Sequence, residues 1–175
     1  MYFPENYLKS VTFEFRRYKI LGDKTFAQLD EKDIFWTYSK NDNSVAQIVK
    51  HMVGNMLSRW TNFLTEDGEK PWRHRETEFE APYTSKKKML LAWEKGWQCL
   101  FDALESIDLA NFDTTIYIRN EPHTIIEATN RQLAHYANHV GQIVFLGKMI
   151  KGDNWISPSI PKGGSRAFNK AKFGK

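Results

Sequence analysis

The chain has 175 residues, 41% hydrophobic and 26% charged, which suits a single domain over 1–175 with a core large enough to fold without staples. Its net charge of +4 lies in the tail: residues 151–175 hold six Lys or Arg against one Asp, while the first 150 hold nineteen basic and twenty acidic side chains. No hydrophobic run approaches a membrane span and "MYFPENYLKS" lacks the basic-then-apolar order of a signal peptide, which argues against membrane insertion and export; a cytoplasmic location is expected.

Four segments carry helical periodicity. Leu8, Val11, Phe15 and Tyr18 recur at spacings of three and four, and this first helix is expected to continue to about Leu29. "LDEKDIFWTYSKNDN" reads as a loop, after which Asn43 or Ser44 caps a second helix running to about Leu64. A polar, extended connection, "RHRETEFEAPYTS", leads to a third helix from about Ser85, with Leu90, Trp93, Trp97, Leu100, Phe101, Leu104 and Ile107 in an apolar stripe. "TTIYIRNEPHT" alternates like a short strand or hairpin with a turn at Asn120 to Pro122, and a fourth helix spans about Thr124 to Ile150. The tail holds too much Pro, Gly and Ser for a helix, yet Trp155, Ile156, Ile160 and Phe168 suggest that part of it packs. The expected fold is all-α, a four-helix bundle with long connections and an irregular, partly packed tail.

The fourth helix contains "QLAHYANHVGQI", in which His135 and His139 stand four apart. On a helix that spacing puts both Cβ atoms on one face, about 5–6 Å from each other. The pair reads either as half of a metal site or as two surface histidines. The same face carries Gln132 and Gln142 where a solvated face would carry Lys and Glu, and this composition points to a polar pocket. A catalytic zinc-like site commonly uses three protein ligands and an open position. A third nitrogen must come from elsewhere. His51 lies on the flank of the second helix, off the stripe Val45, Val49, Met52, Met56, Trp60 and Phe63, where it reads either as that nitrogen or as an exposed histidine. His74 sits among charged residues as a solvated loop side chain, and His123 belongs to the turn before the fourth helix.

Several chemistries are absent. The single cysteine, Cys99, excludes a disulfide framework and any CxxC motif, so metal ligands here are nitrogen or oxygen; Cys99 itself reads as a structural thiol. His135 is followed by Tyr136, not Glu, so the zinc-protease pattern is missing, and there is no GxSxG elbow or phosphate-binding glycine loop.

Taken together, "NSVAQIVKHMVGNMLSRW" and "IIEATNRQLAHYANHVGQIVFL" resemble the DinB/YfiT-like superfamily of bacterial four-helix proteins, closest to a bacillus-type family of unknown function with the further cues "RETEFE", "YIRNEPHT" and "SIPKGGSRAFN". The resemblance covers nearly the whole chain. It implies that His51, His135 and His139 are the three ligands of a divalent ion, zinc or nickel most often. It also implies a low-molecular-weight thiol such as bacillithiol as cosubstrate, in an S-transferase or related transferase or hydrolase, and homodimers are common in the superfamily. Trp36, Asn55, Trp60, Gln132, Tyr136 and Gln142 are the expected pocket liners around an unknown small-molecule substrate, and no catalytic acid or base is identified. The alternative is a non-catalytic metal-binding stress-response or nucleic-acid-interacting protein, motivated by a sequence pI of 9.1 and the basic tail, which a packed strap with solubilising charges explains more simply.

Overall fold

Side-chain caps set where the long helices begin. Ser44 opens α2 (Val45–Trp60) and Thr124 opens α4 (Ile125–Lys151), each through a reciprocal capping box, with Gln47 and Glu127 respectively as the returning side chain. Ser85 caps α3 (Lys86–Glu105) by accepting from the Lys88 amide. These three starts match the expected ones, and α1 spans Phe3–Phe26. The structure, a computed structural model, describes residues 3–80 and 83–174.

Two helices stop earlier than their apolar periodicity predicts. The α1 helix ends at Phe26, and the Gln28 and Leu29 amides donate to Thr25 and Phe26 in a closing turn that still buries Leu29. At the end of α2, Thr61 turns extended and Asn62 takes a φ of 48°, a left-handed conformation that asparagine tolerates, so Phe63 reaches the core from a turn instead of from the helix.

The four long helices share one core. Contacts link α1 with α4, α4 with α2, α2 with α3, and α3 back to α1. The most enclosed of them is α2, with twelve of its sixteen residues buried, so even its flank positions face protein. Aromatic rings fill the centre. Trp97 meets Phe15 edge-on at 6.3 Å and Tyr136 at 5.9 Å between centroids. Such pairs add about 0.5–1.5 kcal/mol beyond area burial. Trp93 packs so tightly against α1 that a Cβ on Gly22 would lie 2.6 Å from its ring.

The expected hairpin is present between α3 and α4. Strands β1 (Ile116–Ile118) and β2 (Glu121–His123) pair antiparallel, with Ile118 opposite Glu121. The turn sits one residue earlier than predicted, at Arg119 and Asn120, whose φ values of 58° and 61° fit a two-residue primed turn. Pro122 is thereby carried into β2, where a two-stranded sheet has an edge to accept it.

The tail corrects one expectation and narrows another. It contains a helix, α5 (Ser165–Phe173), because its Pro and Gly lie before residue 165 or at Gly174 and leave nine residues free of both. Packing is confined to the segment before α5: Trp155 closes over Gly147 and Thr25, and Gln28 exchanges two 2.9 Å hydrogen bonds with the Ile156 backbone. The side chains of Ile156, Ile160 and Phe168 stay exposed, and α5 buries nothing. Among the described residues, no helix is long and apolar enough to cross a membrane.

Candidate metal centre

The capped registers of α2 and α4 turn His51, His135 and His139 toward one point. Nε2 of His135 stands 3.3 Å from Nε2 of His51 and 3.0 Å from Nε2 of His139, and one ligand nitrogen from each ring lies within 4.8 Å of the others. Among the described residues this is the one group of three or more His, Cys, Asp or Glu able to hold a metal ion. Nitrogens about 2.0–2.1 Å from a tetrahedral ion stand about 3.3 Å apart, so the distances from His135 to His51 and to His139 fit such an ion.

Hydrogen bonds on the outer edges of the rings decide what the inner nitrogens offer. Glu78 Oε2 lies 2.9 Å from His51 Nδ1. An ionised carboxylate only accepts, so Nδ1 carries the proton and Nε2 presents a lone pair. Burial by itself would raise the Glu78 carboxyl, but hydrogen bonds from His51 and Arg73 outweigh it and hold the group below its ordinary value. His139 is arranged alike, its Nδ1 donating to Gln142 Oε1 at 3.0 Å. His135 differs, because its Nδ1 is buried without a partner. With the proton on Nδ1, a buried donor is unsatisfied and three lone pairs converge. With it on Nε2, only one of the two neighbours receives it. A cation at the centre satisfies the three converging lone pairs of the first arrangement, while the buried Nδ1–H of His135 stays without a partner. Burial, reinforced by the neighbouring His139 and His51, pushes His135 down to about 3, and burial also lowers His139. Both are therefore neutral at pH 7, the form that binds metal.

Two residues outside the expected set build this geometry. Glu78 ends a 3-10 turn (Glu76–Glu78) in the connection read as extended, and Arg73 clamps it through Nε at 2.9 Å and Nη2 at 3.1 Å. Its approach depends on Gly54, where an added Cβ would lie 2.1 Å from Glu78 Oε1. The available signal for Gly54 was a glycine interrupting an otherwise strong helix. Phe79 stacks on the His51 ring at 4.8 Å.

The expected pocket liners separate into groups. Asn55 and Gln132 line a cavity of about 180 Å³ together with His51, His135 and five arginines: Arg59, Arg73, Arg75, Arg119 and Arg131. Tyr136 and Trp60 are buried behind it, where Trp60 Nε1 donates to Tyr136 Oη at 3.1 Å and Tyr136 Oη donates to Asn55 Oδ1 at 2.9 Å. Burial raises the Tyr136 hydroxyl well above its ordinary value, so it acts as a fixed hydrogen-bonding group. Gln142 is exposed and orients His139. Trp36 is not among the cavity residues and packs against Tyr38. His74 is exposed, and His123, at the end of β2, bonds to the Glu121 carbonyl and to Arg131. Cys99 lies away from the triad beside Thr61, and burial raises its thiol above the ordinary value.

A family model described as a protein of unknown function, DUF1572, matches residues 2–164. No curated protein and no solved structure matches the chain.

Proposed function

The chain belongs to DUF1572, a family of unknown function, and on that premise we propose that it is a divalent-metal enzyme whose ligands are His51, His135 and His139. The observation that carries this reading is the convergence of three imidazole nitrogens at 3.0 and 3.3 Å with two outer nitrogens already committed to Glu78 and Gln142. Structural zinc sites are usually closed by four protein ligands. Three ligands with no fourth His, Cys, Asp or Glu among the described residues favour a site with positions open to substrate. Zinc and nickel both accept imidazole. The pairwise packing of α1, α4, α2 and α3 around one core supports the further assignment to a DinB-like four-helix bundle.

A bound divalent ion supplies Lewis acidity, which lowers the pKa of a ligated thiol or water. Neutral imidazoles leave the ion's full charge available for an anionic ligand, and among such ligands the resemblance to DinB-like proteins implies a low-molecular-weight thiol as cosubstrate, with S-transfer as the reaction class. The protein's own part is positioning. Glu78 holds the His51 tautomer, Gln142 holds that of His139, and the Trp60–Tyr136–Asn55 chain braces the floor between α2 and α4.

The test is metal content. Protein purified without a histidine tag and loaded with Zn²⁺ or Ni²⁺ is expected to hold one equivalent, and His135→Ala to lose it. Less than about half an equivalent in the parent protein, where a one-site stoichiometry is expected, overturns the reading. S-conjugation assays with small thiols then test the reaction class separately.

A further inference from the structure

The cavity beside the triad carries more positive charge than the chain neutralises. Five arginines line it, contributed by α2, the connection after α2, the β-hairpin and α4. Two carboxylates answer them: Glu78 pairs with Arg73, and Glu69 with Arg59 and Arg119. Asp67 is turned to the backbone amides of Arg119 and Asn120, at 2.9 and 2.7 Å. Arg75 and Arg131 have no carboxylate within the 4.0 Å ion-pair distance among the described residues, and Arg131 meets only the imidazole of His123 at 3.3 Å. With Asp67 counted beside the two paired carboxylates, five guanidinium charges still leave two in excess on one small wall.

One buried donor on that wall also lacks a partner. Arg59, 7% exposed, has an unsatisfied Nε although its Nη1 donates to the Gly68 carbonyl. Buried polar groups are ordinarily paired. The hairpin aims a further donor at the wall through Arg119, held in a left-handed conformation that non-glycine residues seldom adopt. Convergent guanidiniums in a cleft of one sign are the arrangement that recognises compact oxyanions, by paired hydrogen bonds and by a focused field.

We propose that this cavity binds a compact phosphate-like dianion, and that the substrate presented to the metal centre carries such a group as its handle. The cavity is lined by His51 and His135 as well as by the arginines, so the anion and the triad share a wall. The handle's role in substrate recognition rests on the metal-enzyme reading; the anion site itself does not.

Calorimetric titration of metal-free protein with inorganic phosphate at pH 8 and low salt tests it. The expected dissociation constant is about 1 mM or tighter. In the Arg75→Gln/Arg131→Gln double variant, which removes exposed side chains without a carboxylate partner, binding weakens by about 10-fold or more, while metal uptake stays at the parent level. A Lys170→Gln/Lys172→Gln variant in α5 binds phosphate like the parent. No binding at about 10 mM phosphate, a concentration well above the expected constant, overturns the proposal, as does binding that the double variant leaves unchanged. Tighter binding of succinate than of phosphate overturns the phosphate-like assignment. Protein that takes up no metal yet binds phosphate through Arg75 and Arg131 refutes the metal centre and leaves the anion site standing; protein that loads metal and ignores phosphate does the reverse.

Discussion

The arginine wall of the cavity and the basic C-terminal helix carry the same sign of charge under opposite constraints. Around the cavity, Arg59 and Arg73 are almost fully buried, with 6% and 2% of their side chains exposed, and carboxylates fix their directions. In α5, Arg166, Lys170 and Lys172 lie on a helix that buries no residue. Net charge along the chain draws attention to the tail, because the body is near neutral. The concentrated field is nevertheless in the body, where five arginines converge from four separate elements. Charge position in space, not charge balance in sequence, locates the candidate site.

The largest expected effect that sharpens this contrast is at Glu78. Glu78→Gln leaves the buried Arg73 guanidinium without its counter-charge, and breaking such a pair costs about 3–5 kcal/mol. Because Glu78 also holds the His51 tautomer, metal affinity is expected to fall about 10–100-fold. Urea unfolding of metal-free protein and a zinc competition titration measure the two losses independently.

Next in size is Gly54→Ala. The new methyl would lie 2.1 Å from Glu78 Oε1, so the carboxylate must withdraw from its place beside His51. Overpacking of this kind costs about 1–3 kcal/mol, and metal affinity should drop about 10-fold through the displaced partner. An alanine variant with parental metal affinity would show that Glu78 does not orient His51.

A smaller, pH-dependent effect separates the two regions in the metal-free protein. His135 titrates at about 3 when folded and His139 is lowered too, against about 6.5 for an unperturbed histidine. Between these limits the unfolded chain binds more protons, so the stability contribution is fully present above about pH 6.5 and is lost as pH falls toward 3. Glu78, also held low, adds a loss of the same sign at the acid end. Thermal melts of metal-free protein should therefore fall steadily from pH 7 to pH 5. A flat profile across that interval would contradict the burial of these imidazoles. The basic helix should matter least: Lys170→Gln/Lys172→Gln is expected to change stability by less than about 0.5 kcal/mol, read by the same melts.

Much of the architecture was legible locally. The starts of α2, α3 and α4 follow from capping residues whose hydrogen bonds close within three positions, and the hairpin follows from alternation around a turn. Helix ends were less so, because apolar side chains such as Leu29 and Phe63 reach the core from turns as well as from helices. The tail helix was obscured by averaging composition over a segment whose Pro and Gly lie only outside the nine helical residues.

By itself, the sequence determined that His135 and His139 share a face, since the helical period is a local property of α4. Whether His51 joins them, and which residues hold the rings, was decided by the tertiary structure. Glu78 lies 27 positions from His51, and His135 lies 84 positions from it. Contacts at such separations depend on how α2, α4 and the connection between α2 and α3 pack, and no local periodicity encodes that. The same reason hid the arginine wall, whose members are unremarkable charges one by one in the sequence and become a single field only when four elements bring them to one cavity.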